Sequence, residues 1–192
     1  MRRFFLFLIL LATMSWAHPH VFADVTVQAM FDETGFIGVQ NHWEYDEIYG
    51  TSMFAAADAN DDGSLSKKEL ESLKIAVLDP LAKQNYYNYV LSGTNFLPAL
   101  NVENFQATKK NGKLVLDFLI RFSVPVSNEY KFLVIVVDDP SNYIQVTSDM
   151  GNSDAKAPDA IDVEYYDDSL EGLTMMKSFR SDVEGLYVRF KK

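Results

Sequence analysis

The stretch Val21-Phe22-Ala23-Asp24-Val25-Thr26-Val27-Gln28-Ala29-Met30-Phe31, then Asp32-Glu33-Thr34-Gly35, then the run Phe36 to Trp43, decides the fold. Val21, Ala23, Val25, Val27 and Ala29 alternate with mostly polar neighbours, the two-residue period of a strand with one buried face. A polar turn ending in glycine then leads into a second extended run, so the stretch reads as a β-hairpin. Downstream the pattern changes. Glu44 to Ala57 is helix-compatible, and Ser66 to Leu78 carries Leu70, Leu73, Val77 and Leu78 at helical spacing. Pro80 predicts a third short helix through Tyr86, Tyr89 and Val90, stopped by Ser92-Gly93. The rest is strand-like: Glu103 to Lys109, an Asn111-Gly112 hairpin turn, Leu114 to Val126, Tyr130 to Val137, Tyr143 to Thr147, Ile161 to Tyr166 and Leu186 to Phe190. Residues 149–159 read as an exposed loop. The expected class is α+β: one antiparallel β-rich domain over residues 18–192, with an N-terminal helical insert at about 44–92 carrying one EF-hand-like loop.

Composition supports a folded domain, with 48% hydrophobic and 23% charged residues in 192. The formal charge of −10 repels a phosphate backbone, so no nucleic-acid partner is expected. The chain has no cysteine, which removes disulfides, thiolate catalysis, Fe–S clusters and cysteine-zinc sites.

Arg2 and Arg3 precede an apolar run from Phe4 to Ala12 and then Ser15-Trp16-Ala17, the signature of a secretory signal peptide over residues 1–17. The run is shorter than the roughly 20 residues of a membrane span, and no later segment qualifies, so no transmembrane helix is expected in the mature chain. Cleavage after Ala17 removes both arginines and takes the net charge to −12. The expected location is the bacterial periplasm.

Asp58-Ala59-Asn60-Asp61-Asp62-Gly63-Ser64-Leu65-Ser66-Lys67-Lys68-Glu69 matches every constrained position of an EF-hand loop. Ca²⁺ takes six to eight oxygens. Asp58, Asn60 and Asp62 supply side-chain donors, Ser64 its carbonyl, Ser66 a hydroxyl used directly or through water, and Glu69 both carboxylate oxygens. Because sensor loops work in pairs and this one stands alone, the expected role of calcium is structural.

The three histidines, His18, His20 and His42, all fall within the first 25 residues of the mature protein. After cleavage His18 offers an α-amine with a pKa of about 7.7 beside its imidazole, a chelating pair. His20 points to the same side if the segment is extended. Pro19 has no amide hydrogen, which excludes the square-planar chelate built on successive backbone amides. The remaining donors suit Zn²⁺, Ni²⁺, Co²⁺ or Cu²⁺ without separating them. His42 is a third candidate ligand, and whether it joins the site depends on the hairpin register that sets its face.

Ala17-His18-Pro19-His20-Val21-Phe22, Trp43-Glu44-Tyr45-Asp46-Glu47, the acidic loop, and Asp139-Pro140 followed by Tyr143 together resemble a family of bacterial periplasmic proteins of unknown function. Its members are often described as the periplasmic component of an uncharacterised ABC-type transport system. The resemblance covers roughly residues 17 to 147. Members are often encoded beside nickel/cobalt-type permeases, which implies a part in transition-metal uptake or homeostasis and an inner-membrane metal permease as partner. The family pattern carries over to His18, His20 and Trp43 to Asp46. His42 corresponds to no family position, and Asp138 to Tyr143 departs from the family's aromatic neighbour after proline.

Asp138, Asp139, Asp159, Asp162, Glu164, Asp167 and Asp168 read as solvated acidic loops. No His-Glu-x-x-His helix, Gly-x-Ser-x-Gly elbow or phosphate-cradling loop occurs, so the chain is not expected to be an enzyme, a copper oxidase trailing as a third reading. Two readings lead. One is a carrier of a divalent transition metal in a transport system, with a structural calcium site. The other is a calcium-stabilised envelope interaction module with no transition-metal role.

Overall fold

A computed structural model describes residues 21–192; the leader, His18 and His20 lie outside the described residues. The hairpin forms as read, β1 (Val21–Asp32) against β2 (Gly35–Tyr45), with Val25 opposite Trp43 and Thr26 opposite His42. Gly35 closes the turn at φ +131°, where a Cβ would stand 2.3 Å from the Val124 carbonyl oxygen. The β-strands that follow are β3 (Asn88–Ser92), β4 (Asn95–Leu97), β5 (Val102–Lys110), β6 (Lys113–Pro125), β7 (Lys131–Val137), β8 (Ile144–Ser148), β9 (Asp154–Lys156), β10 (Asp162–Ser169) and β11 (Glu184–Lys191). One sheet runs β5-β6-β2-β1-β8, with β9 also on β1, and the other β10-β11-β7-β3-β4. Their apolar faces share one core. Trp43, Leu116, Phe118 and Ile120 of the first sheet bury with Ile135, Val137, Val188 and Phe190 of the second, and the rings of Phe31 and Phe190 meet at 4.9 Å.

Most strand pairs are antiparallel as expected, and the exceptions lie on one flank of β1. β8 and β9 both run parallel to β1, because the chain leaves the second sheet after β7 and crosses to the first. β9 also lies inside the stretch read as a loop; Ser153 accepts the Val27 amide through Oγ at 3.0 Å as pairing with β1 resumes.

The helical insert contains α1 (Glu47–Ala57) and α2 (Lys67–Val77), joined by the acidic loop. Its start is later than expected, since Glu44 and Tyr45 complete β2. α1 lies on β6 through Gly50, where a Cβ would come within 2.5 Å of the Leu114 amide nitrogen. Ser66 and Glu69 form a reciprocal capping box that starts α2, whose Leu73 and Val77 are buried. The third helix is not the one expected. Asp79–Tyr87 is a kinked 3-10 segment in which Asn85, Tyr86 and Tyr87 turn to positive φ, and Tyr89 and Val90 belong to β3. Among the described residues no helix is long and apolar enough to cross a membrane.

Candidate functional site

His42 is half-exposed on the outer face of β2. Its Nδ1 stands 2.8 Å from Asp117 Oδ1 on β6, and Nε2 stands 3.5 Å from Glu44 Oε1. Asp117 and Glu44 thus flank the two ring nitrogens and orient the ring. Among the described residues no three His, Asp or Glu side chains gather here as a metal-holding group. Lys113 Nζ sits 3.6 Å from Glu44 Oε2 and 3.5 Å from Asp24 Oδ2, placing a cation where further ligands would gather. Opposite Thr26, His42 is five residues along β1 from Val21, about 16 Å at strand rise. No signal in the sequence paired it with Asp117, 75 residues away.

The side chains of the acidic loop are engaged with its own backbone and with one another. Asp58 is buried; its Oδ2 accepts the Gly63 amide at 2.8 Å and its Oδ1 the Asp62 amide at 3.2 Å. Asn60 donates through Nδ2 to Asp62 Oδ2 at 2.8 Å. Asp62 Oδ1 accepts both the Ser64 hydroxyl, at 2.7 Å, and the Ser64 amide, at 2.9 Å, and these bonds hold its carboxyl below the ordinary range. Glu69 accepts the Ala59 amide on Oε1 at 2.9 Å and the Ser66 amide on Oε2 at 2.8 Å, and Ser66 likewise holds it low. The donor set fits a hard cation in chemistry and charge. The side chains are engaged with loop amides, however, and among the described residues no three His, Asp or Glu side chains gather as a metal-holding group.

A third locus lies where β1 begins. Asp46 accepts the Phe22 amide on Oδ2, and its own amide donates to the Phe22 carbonyl, both at 3.0 Å. Its Oδ1 meanwhile accepts the Ile48 and Tyr49 amides, capping α1. On the other flank Val21 pairs with Ile144. The turn before Ile144 is built on Asp139, whose carboxylate takes Ser141 N–H and O–H on Oδ1 and Tyr143 and Ile144 N–H on Oδ2, at 2.6–3.0 Å. Tyr45 packs at 4.9 Å from Tyr49, its hydroxyl buried without a partner among the described residues. Burial pushes the phenols of Tyr45, Tyr49 and Tyr87 up, so none supplies a tyrosinate at neutral pH.

Asp138 and Asp139 correct the expectation of solvated acids: they are 1% and 2% exposed. Asp139 is paid for by its four donors, and Asp138 Oδ1 takes Arg180 Nη2 at 3.2 Å. Arg180 belongs to the segment 170–183, whose Leu170, Leu173, Met176 and Val183 pack on Val134 and Val136 on the outer face of the second sheet. A buried acid is legible only when its distant partner is known.

Fold and site together define a two-sheet β domain with a looped helical pair inserted after its first hairpin. The chain belongs to a protein family of unknown function, DUF1007, which it matches over residues 3–168. Neither a curated protein nor a solved structure matches it.

Proposed function

We propose that this protein is a periplasmic divalent transition-metal-binding component, carrier or accessory, of a metal transport system, with a structural calcium site in the 58–69 loop and an inner-membrane metal permease as partner. The role is binding, not catalysis. The observation that carries it is the Asp46–Phe22 clamp. The His-Pro-His segment is joined directly to β1, whose second residue is fixed on one flank by Asp46, while Val21 is fixed on the other by β8. His20 and His18 precede Val21 by one and three residues, so chain length alone keeps their Cα atoms within about 11 Å of it.

His18, through its ring and freed amine, and His20 are the proposed ligands, taking Zn²⁺, Ni²⁺, Co²⁺ or Cu²⁺. His42 is left out of the pair, because Asp117 and Glu44 hold it and Lys113 flanks it. For calcium, Asp58, Asn60, Asp62, Ser64, Ser66 and Glu69 would hold the ion, which would brace α1 against α2. Titration of protein beginning at His18 with each of the four metals tests the reading; His18→Ala with His20→Ala should abolish binding, and unchanged binding would overturn it.

One observation favours the second reading, a calcium-stabilised envelope interaction module: Phe22 and Ile48 leave apolar surface exposed beside the clamp. That reading predicts loss of partner capture on Asp58→Ala with transition-metal binding unaffected.

A further inference from the structure

Sheet edges recruit other strands unless they are protected, and among the described residues three edges are. β4 has three residues. β5 is interrupted between Glu103 and Gln106, with Asn104 at φ 54°, and ends in Lys109 and Lys110. β8 has five residues, and β9, three residues long, follows it on the same flank of β1. β10 differs. It pairs with β11 without interruption from Asp162–Lys191 to Ser169–Glu184, contains no proline, glycine or lysine, and is exposed at every residue except the half-buried Val163.

The side chains of β10 select what can join it. Asp162, Glu164, Asp167 and Asp168 give it four carboxylates and no cation. Arg189 holds Glu164 at 2.6 and 2.7 Å, and Lys191 lies 3.8 Å from Asp162. Asp167 and Asp168 have no basic partner among the described residues. A second copy added edge to edge would set these acids against one another, whereas a strand bearing Lys or Arg would be attracted. Inward of the edge, over β11, Tyr166 stacks on Tyr187 at 5.1 Å and 8°, and with Phe132 and Val134 they line a groove of about 280 Å³. Cations already sit on an aromatic face of this sheet, Arg189 and Lys191 lying 4.5 and 4.4 Å from the Tyr130 ring centre.

We propose that the β10 edge docks an extended, Lys/Arg-bearing segment of a partner protein as a sixth strand of the second sheet. Backbone amides supply the pairing, Asp167 and Asp168 select the charge, and Tyr166, on the outer face of β10, packs against alternate side chains of the added strand. The probe is a nine-residue peptide of alternating Lys and Val, titrated into isotope-labelled protein comprising residues 18–192 and followed by amide chemical shifts. Shifts concentrated in residues 162–169 are expected. Affinity should fall at least tenfold when the central Val of the peptide is replaced by Pro, and again for the exposed double variant Asp167→Lys, Asp168→Lys. Equal binding of the proline peptide would overturn the proposal by reducing the contact to charge attraction. Shifts centred elsewhere, no binding at millimolar peptide, or self-association of the free protein through these same amides would also overturn it.

Discussion

Asp46 and Phe22 exchange two hydrogen bonds of 3.0 Å, carboxylate to amide and amide to carbonyl, across 24 residues of sequence. The same carboxylate caps α1, so one side chain ties the beginning of the sandwich to the beginning of the insert. Asp46→Ala should cost about 2 kcal/mol in urea unfolding, the upper end for a lost cap, and Asp46→Asn less, because the amide oxygen still caps α1 while only the bond from the Phe22 amide is lost. The alanine variant should also weaken metal binding by His18 and His20. A variant as stable as the parent would show that the clamp is incidental.

Asn41 and Trp43 form a closed polar pair in the core: the indole Nε1–H donates to Asn41 Oδ1 at 3.0 Å, and Asn41 Nδ2 donates to the Val39 carbonyl at 3.0 Å. Asn41→Leu leaves the indole donor buried and unpaired, at a cost of about 1–3 kcal/mol. Chemical denaturation followed by Trp fluorescence reads this, and a neutral result would contradict the assigned network.

Burial raises the Asp138 carboxyl above its ordinary range, and Arg180 opposes the shift. Arg180→Met should destabilise by about 2 kcal/mol near neutral pH, less than a fully buried pair because Arg180 is 35% exposed. The sign follows from linkage. A raised acid contributes its stability below the ordinary Asp pKa near 4 and loses it as pH rises through the folded value. The deficit of the variant should therefore grow from acid toward neutral pH; a gap independent of pH would contradict this.

In the 58–69 loop the sign is opposite. Asp62 and Glu69 are held low by Ser64 and Ser66, so their contribution is complete above the ordinary carboxylate range and lost as pH falls through the folded values. Calcium should raise the Tm of the parent, with a gain of about 2.7 kcal/mol at a hundredfold excess over Kd. Glu69→Gln should show little gain. Equal calcium responses in both would remove Glu69 from the site.

Much of the fold was legible because it was local. Alternation along Val21 to Phe31, the Asn111-Gly112 turn and the Leu70-Leu73-Val77 spacing each declare their own element. What depended on distant partners did not show. The parallel register of β8 and β9 with β1 leaves no local period, and β9 is three residues long. Left-handed turns at Asn85, Tyr86 and Tyr87 override a helix-compatible run. The charges of Asp138 and Asp139 looked solvated because Arg180 lies 42 residues beyond the first, and the donors of the second are backbone amides and a hydroxyl.

The most direct measurement is calorimetric titration of protein beginning at His18 with Zn²⁺, Ni²⁺, Co²⁺ and Cu²⁺, beside the His18→Ala, His20→Ala form. The account predicts a single saturable site for at least one ion that is lost in the double variant and weakened when an extra residue precedes His18. Binding that is undiminished in the double variant, or absent from the parent for all four ions, would contradict it.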